Sequence, residues 1–125
     1  MPRVLITGAA GFIGMHTSIK FLNEGWDIVA VDNMNDYYSV ELKKKRVEQI
    51  RMVERNSDND FTLFQDDLNS RVWEKLAKYN FDAVVHLAAQ AGVRYSIENP
   101  RAYLESNVLG FQSVIEFVER QLIKC

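Results

Sequence analysis

The sequence is poor in cysteine, in net charge and in long apolar runs, and each shortage removes a class of protein. A single cysteine, Cys125, has nothing to pair with inside this sequence and rules out a cysteine-rich metal cluster. One thiol suits a reducing compartment. The formal charge of −2 and a pI near 5.7 argue against a general binder of nucleic acid or of membrane surfaces. The one basic run, Lys43-Lys44-Lys45-Arg46, falls on an expected helix and reads as a solvated face. No apolar run approaches the ~18 residues of a membrane span, and residues 1–14 lack a basic leader followed by a signal-type apolar core. A soluble cytoplasmic protein is the expectation. At 125 residues, 47% hydrophobic and 26% charged, the chain has the length and composition for one domain with one core.

What is present begins at residue 4. Val4-Leu5-Ile6 runs into Thr7-Gly8-Ala9-Ala10-Gly11-Phe12-Ile13-Gly14, three glycines spaced three apart, and a helical pattern follows. A buried strand, a glycine turn and a helix N-terminus together make a site for a pyrophosphate. The helix end offers unpaired N–H groups and a partial positive charge, and glycines let the backbone approach without a Cβ in the way. A glycine turn can also do no more than close a strand–helix corner, so its surroundings matter.

Those surroundings read as strand Arg3–Thr7, helix Phe12–Asn23 closed by Gly25, and strand Trp26–Asp32. A loop over 33–39 leads to a helix from Val40 to about Arg55 and a turn cluster over 56–60. Strand Phe61–Gln65, a short helix capped by Ser70 and running to Tyr79, strand Phe81–Leu87 and a small-residue loop follow. Pro100, after Glu98 and Asn99, opens the last helix, which runs to about Ile123. No internal repeat, low-complexity tract or linker interrupts the order. Alternation of this kind predicts an α/β fold, a doubly wound parallel sheet in order 3-2-1-4 with helices on both faces.

Within that frame Asp32 ends the second strand 18 residues after Gly14. There a carboxylate can accept bonds from both adenosine ribose hydroxyls, whereas a 2′-phosphate would be repelled and no Arg immediately follows. NAD is therefore favoured over NADP. Asp67 ends the third strand on the same carboxyl edge, which makes Asp67 and Leu68 candidates for an adenine contact, with a helix-capping role for Asp67 as the alternative. His86, inside an apolar strand, reads as a packed histidine rather than a catalytic one.

At this point TGAAGFIG, VDNMNDYY, DDL, HLAAQAGVRYSIENP and SNVLGF stand in the order and spacing of a known family. Over nearly its whole length the chain resembles the extended short-chain dehydrogenase/reductases, and among them the NAD-dependent nucleotide-sugar epimerases of the UDP-glucuronate 4-epimerase type. The glycine turn is common to the whole family; the DN-x-ND-YY and AAQAGVRYSIENP motifs are narrower. The resemblance implies a Rossmann-like fold. It implies cofactor contacts from Gly8, Gly11, Phe12, Ile13 and Gly14, ribose contacts from Asp32, Asn33 and Asn35, and adenine contacts from Asp67 and Leu68. Leu87, Ala88, Ala89 and Gln90 would lie along the nicotinamide side, with Asn107 contacting from the last helix. Arg94 would face the nucleotide sugar, where a guanidinium suits a diphosphate or a uronate carboxylate; pinning its own loop to Glu98 is the alternative.

One family feature is missing. The family's proton-transferring tyrosine is followed four residues later by a lysine that, with the nicotinamide charge, favours the phenolate. Here Tyr37, Tyr38, Tyr79, Tyr95 and Tyr103 are followed at that spacing by Glu41, Leu42, Ala83, Asn99 and Asn107. No catalytic residue is therefore assigned, and the chain is expected to be inactive alone. It reads as an amino-terminal portion that stops before a fifth strand and without a C-terminal sugar-binding region. A non-catalytic dinucleotide-binding module, or the first part of a dehydratase or decarboxylase, are the competing readings. An open edge at strand four, and an apolar stripe through Leu104, Val108, Phe111, Ile115, Val118 and Leu122 beside the off-stripe Val114 and Phe117, lead to an expectation of self-association. Light scattering at micromolar concentration is expected to show a dimer or larger species; a monodisperse monomer contradicts this.

Overall fold

A computed structural model describes residues 2–34, 39–88 and 97–124, with only the backbone of residues 123 and 124. Strands β1 (Arg3–Thr7), β2 (Asp27–Val31), β3 (Phe61–Phe64) and β4 (Ala83–His86) form one parallel sheet in the order β3-β2-β1-β4. Helices α1 (Phe12–Asn23), α2 (Val40–Arg55) and α3 (Val72–Leu76) join them. After β4 come α4 (Pro100–Tyr103), a π-helical turn (Leu104–Leu109) and α5 (Gly110–Lys124). The order and class are as the sequence predicts.

Strict alternation along the central strands divides the core. Val4, Ile6, Ile28 and Ala30 face one side with Leu22 of α1 and Ile50 of α2. Leu5, Val29 and Val31 face the other with Val72 and Leu76 of α3 and Val114 and Phe117 of α5. Val4, Leu5 and Ile6 are fully buried, as β1 has a neighbour on both edges and helices on both faces. Registers Thr7↔Val31 and Thr7↔His86 bring three strand ends level at the carboxyl edge. Gly8 N–H donates to Val31 O (2.8 Å), and Asp32 N–H to Phe64 O (3.1 Å). The residues just past the strands are thereby held by the same ladder as the strands.

The last helix buries the off-stripe Val114 and Phe117 and leaves the apolar stripe outside, except Val118, which packs against the core. Its sheet-facing residues are Gly110, Val114, Phe117 and Gln121, at steps of four, three and four. Leu104, Val108, Phe111, Ile115 and Leu122 are the exposed ones. A hydrophobicity pattern passes over the inner face because two of its four members are not large and apolar. Gly110 is buried beside Leu68, where a Cβ would make ordinary contact with Leu68 side-chain carbons at 3.7 and 3.8 Å. Gln121 accepts from Phe81 N–H (3.1 Å) and donates to Tyr79 O (3.1 Å), closing the bend before β4.

The glycines of the turn differ in what the fold requires of them. Gly8 has φ +75°, and a Cβ on it would lie 2.7 Å from Ala88 N. On Gly14 a Cβ would lie 2.0 Å from Gly8 O and 2.8 Å from Ala9 Cα, all backbone that cannot swing aside. Gly11, with φ −73° and ψ 172°, would meet only Gly8 O, at 3.3 Å. Gly14→Ala is therefore expected to cost about 2 kcal/mol or more of stability through forced displacement of α1. Gly11→Ala, which puts Ala at an N-cap, is expected to cost less than about 1 kcal/mol. Urea melts of the two variants check the contrast, and equal losses contradict it.

Candidate functional site

The sheet's carboxyl edge brings together the glycine turn, Asp32 and the end of β4. α1 starts directly above it, and its N-cap is Gly11, which has no side chain to satisfy the first N–H groups of the helix. Phe12 and Ile13, the first two helical residues, are 64% and 63% exposed although both are large and apolar. Gly11 thus sits at an open helix N-terminus where a Cβ would make a single tight contact, with Gly8 O at 3.3 Å. Gly8 and Gly14 shape the corner beneath it.

Asp32 follows β2 and is nearly buried, yet its carboxylate is well answered. Oδ2 accepts from Ala10 N–H (3.0 Å) and Oδ1 from Met34 N–H (2.8 Å). The second bond is a local turn that holds Met34 at φ +53°, a left-handed conformation costly for a residue with a Cβ. Lys43 Nζ lies 3.4 Å from Oδ1. Here the reading of the basic run as a solvated face fails in part. Lys44 and Lys45 are exposed, but Lys43 is buried against Asp32, and Arg46 donates from Nη1 to Ala10 O (3.3 Å). Positions 43 and 46 are three apart, so they share the helix face turned toward the glycine turn. Both backbone polar groups of Ala10 are consequently held, its N–H by Asp32 and its C=O by Arg46. Helical spacing from Ile50, the buried apolar residue of α2, could have shown that 43 and 46 lie on the inner side.

On the β4 side, Thr7 is the organiser. Its hydroxyl accepts from Leu87 N–H (3.0 Å) and Ala88 N–H (3.2 Å) and lies 2.6 Å from His86 Nδ1. With two N–H groups on its oxygen, the hydroxyl proton points to Nδ1, which assigns His86 the tautomer with hydrogen on Nε2. Phe111 stacks on the ring at 5.7 Å. Burial lowers the His86 pKa from its ordinary value of 6.5. This is a packed histidine, as the sequence reading has it. Thr7 also draws Leu87 and Ala88 onto the space above Gly8, joining the two motif-bearing loops.

The other expected site residues are less unified. Asp67 Oδ1 accepts from Asn69 N–H (2.8 Å), and its backbone carbonyl accepts from Ser70 Oγ (2.6 Å), so Asp67 builds the turn into α3. Ser70 Oγ in turn accepts from Val72 N–H (3.2 Å), but the N-cap of α3 is Arg71, without a side-chain cap bond, and the helix ends at Leu76 rather than Tyr79, so the expected Ser70 cap stands one residue too early. Leu68 is packed in the core against the α5 side. An open groove beside Asp67 is lined by Asn69, Ser70, Glu105, Gln112 and Glu116. Asn107 is half-buried on the π-helical turn, a distortion of the helix that recurs at functional sites. Asn33 follows Asp32 directly and is exposed. Asn35, Ala89, Gln90 and Arg94 lie outside the described residues. Among the described residues no cluster of His, Cys, Asp and Glu could hold a metal ion, and no helix is long and apolar enough to cross a membrane.

A doubly wound parallel sheet with a glycine turn at its carboxyl edge and an acid after β2 is the Rossmann-like architecture. Residues 5–124 match the GDP-mannose 4,6 dehydratase family, and the chain belongs to that family. It is 45% identical over 118 residues to Protein CapI of Staphylococcus aureus, covering 91% of this chain and 33% of that protein. It is 43% identical over 115 residues to UDP-glucuronate 4-epimerase 4 of Arabidopsis thaliana, covering 90% of this chain and 25% of that one. Among solved structures, a UDP-glucuronic acid 4-epimerase of Bacillus cereus, held with a UDP-4-deoxy-4-fluoro-glucuronic acid and NAD, superposes with a TM-score of 0.78 at 29% identity. That likeness covers 92% of this chain and 35% of the other. The chain thus spans about a third or less of the length of these proteins.

His86 gives the site a pH dependence of defined sign. Its pKa is lower folded than unfolded, so between the folded value and 6.5 the unfolded chain binds the extra proton. Stability should be full above pH 6.5 and fall as the pH drops through that window. His86→Asn, whose amide oxygen can take the Thr7 proton, should flatten this part of the profile. Urea midpoints at pH 7.5 and 5.5 measure it; an unchanged slope in the variant contradicts the assignment.

Proposed function

We propose that the chain holds NAD across the Val4–Gly14 turn and forms the nucleotide-binding part of a UDP-glucuronate 4-epimerase. The observation that carries the NAD reading is Gly11. Of the three glycines it is the least constrained by internal packing, a Cβ there meeting only Gly8 O at 3.3 Å, and it caps an open helix N-terminus. A bare backbone there leaves room for a group from outside the chain, and a pyrophosphate fits both the space and the partial positive charge.

In this reading Gly8, Gly11, Phe12, Ile13 and Gly14 take the pyrophosphate. Asp32, Asn33 and Asn35 serve the adenosine ribose, and Asp67 and Leu68 border the adenine. Leu87, Ala88, Ala89, Gln90 and Asn107 lie toward the nicotinamide, and Arg94 toward the nucleotide sugar. NAD, when bound, supplies reversible redox chemistry at the sugar C4. The residues of this chain contribute binding and orientation, since the tyrosine–lysine pair of that chemistry has no counterpart in the 125 residues. These 125 residues alone are accordingly expected to show no turnover of a nucleotide sugar.

The uronate assignment is supported by the likeness to the Arabidopsis and Bacillus epimerases. A dehydratase on the same scaffold is the competing reading, and the name of the matched family favours it. The exposed stripe of the last helix supports self-association in either case. Calorimetry is expected to show NAD bound by the unmutated chain and at least about tenfold weaker in Gly11→Val, whose side chain occupies the anion's place. Equal affinity contradicts the assignment of the turn.

A further inference from the structure

The ribose end of the site carries a charge arrangement that the acid after β2 does not reveal by itself. Asp32 and Lys43 form a pair at 3.4 Å with side chains only 4% and 9% exposed, and Arg46 reaches Ala10 O, whose own N–H is on Asp32. An acid at this position discriminates against a 2′-phosphate because two negative charges are brought together in a poorly screened place. Here an ammonium already offsets the carboxylate, and a guanidinium stands one helical step further along the same face. Among the described residues, two cationic groups and one carboxylate meet at this point.

We propose that Lys43 is a specificity-determining residue for the dinucleotide. By compensating Asp32, it sets how strongly the site rejects a 2′-phosphate, and together with Arg46 it forms a latent phosphate site that Asp32 screens. The preference for NAD is then a balance between Asp32 and Lys43 rather than a property of Asp32 alone. This rests on the NAD reading of the glycine turn. Its chemistry is that of any phosphate pocket, in which ammonium and guanidinium groups supply charge-assisted bonds once no carboxylate competes for them.

The test is calorimetry of NAD and of NADP on the full 125-residue chain and three variants, each confirmed folded by circular dichroism. Lys43→Met, close in volume, should raise the ratio of NADP to NAD dissociation constants by about tenfold or more, since the carboxylate is left uncompensated. Asp32→Asn, isosteric, should lower that ratio by about tenfold or more because Lys43 and Arg46 then meet the 2′-phosphate. The double variant should fall between the two. Should Lys43→Met not fold, Asp32→Asn decides alone: a ratio that stays within about threefold of the unmutated value overturns the proposal. A loss of affinity in Lys43→Met that is equal for both dinucleotides also overturns it and makes Lys43 a packing residue. If the unmutated chain binds neither dinucleotide, the NAD reading fails and this proposal with it; NAD binding with unaltered ratios defeats the proposal only.

Discussion

The site depends on how closely the first turn of α1 approaches the end of β1. Gly14 stands so near Gly8 O that no Cβ fits between them, and Gly8 in turn lies against the backbone of Ala88. Three pieces of main chain from two strands and a helix meet there with only hydrogen atoms as spacers. That packing fixes the direction of the α1 axis over the sheet edge and leaves its first N–H groups facing outward. Thr7 reinforces it from below by binding Leu87 and Ala88 N–H through one hydroxyl. Asp32 reinforces it from the other side through Ala10 N–H. The same contacts that hold the corner together therefore present the helix end to an anion.

Much of this was legible in the residues. Continuous apolar β-branched runs marked strands buried on both faces, and their alternation with helical segments dictated the crossover topology and the order 3-2-1-4. The glycine spacing and the acid after β2 placed the candidate site at the carboxyl edge, where ladder registers set Thr7, Val31 and His86 level. What escaped were residues whose roles contradict their type. Lys43 sits in a run of four basic residues, and only the helix phase separates it from the exposed Lys44 and Lys45. Gln121 serves an apolar interface by satisfying two backbone groups of the bend before β4. Counting large hydrophobic side chains selects the neighbouring stripe, which faces outward. Asp67 shows a related ambiguity, since the bonds that make it a good turn residue are those a carboxylate also offers to a ligand.

The two sides of the molecule are unequal. The β2 side of the turn is closed by α2, whose Lys43 and Arg46 tie the helix to Asp32 and Ala10. On the β4 side the strand has half-buried residues throughout, and the last helix turns a row of apolar side chains away from the sheet. The chain spans about a third of the length of its solved neighbour, in which an NAD and a nucleotide sugar are held together. The described residues place the glycine turn, Asp32 and the end of β4 at one sheet edge and leave an apolar row of the last helix exposed.

The central claim is that the open N-terminus of α1 is a binding site for the pyrophosphate of NAD. Titrating isotopically labelled chain with NAD and following the backbone amide resonances tests it most directly. The account predicts the largest shifts at Gly11, Phe12 and Ile13, with a second group at Asp32 and Asn33. Shifts confined to the groove around Asp67 and Glu105, or none at saturating NAD, would contradict it.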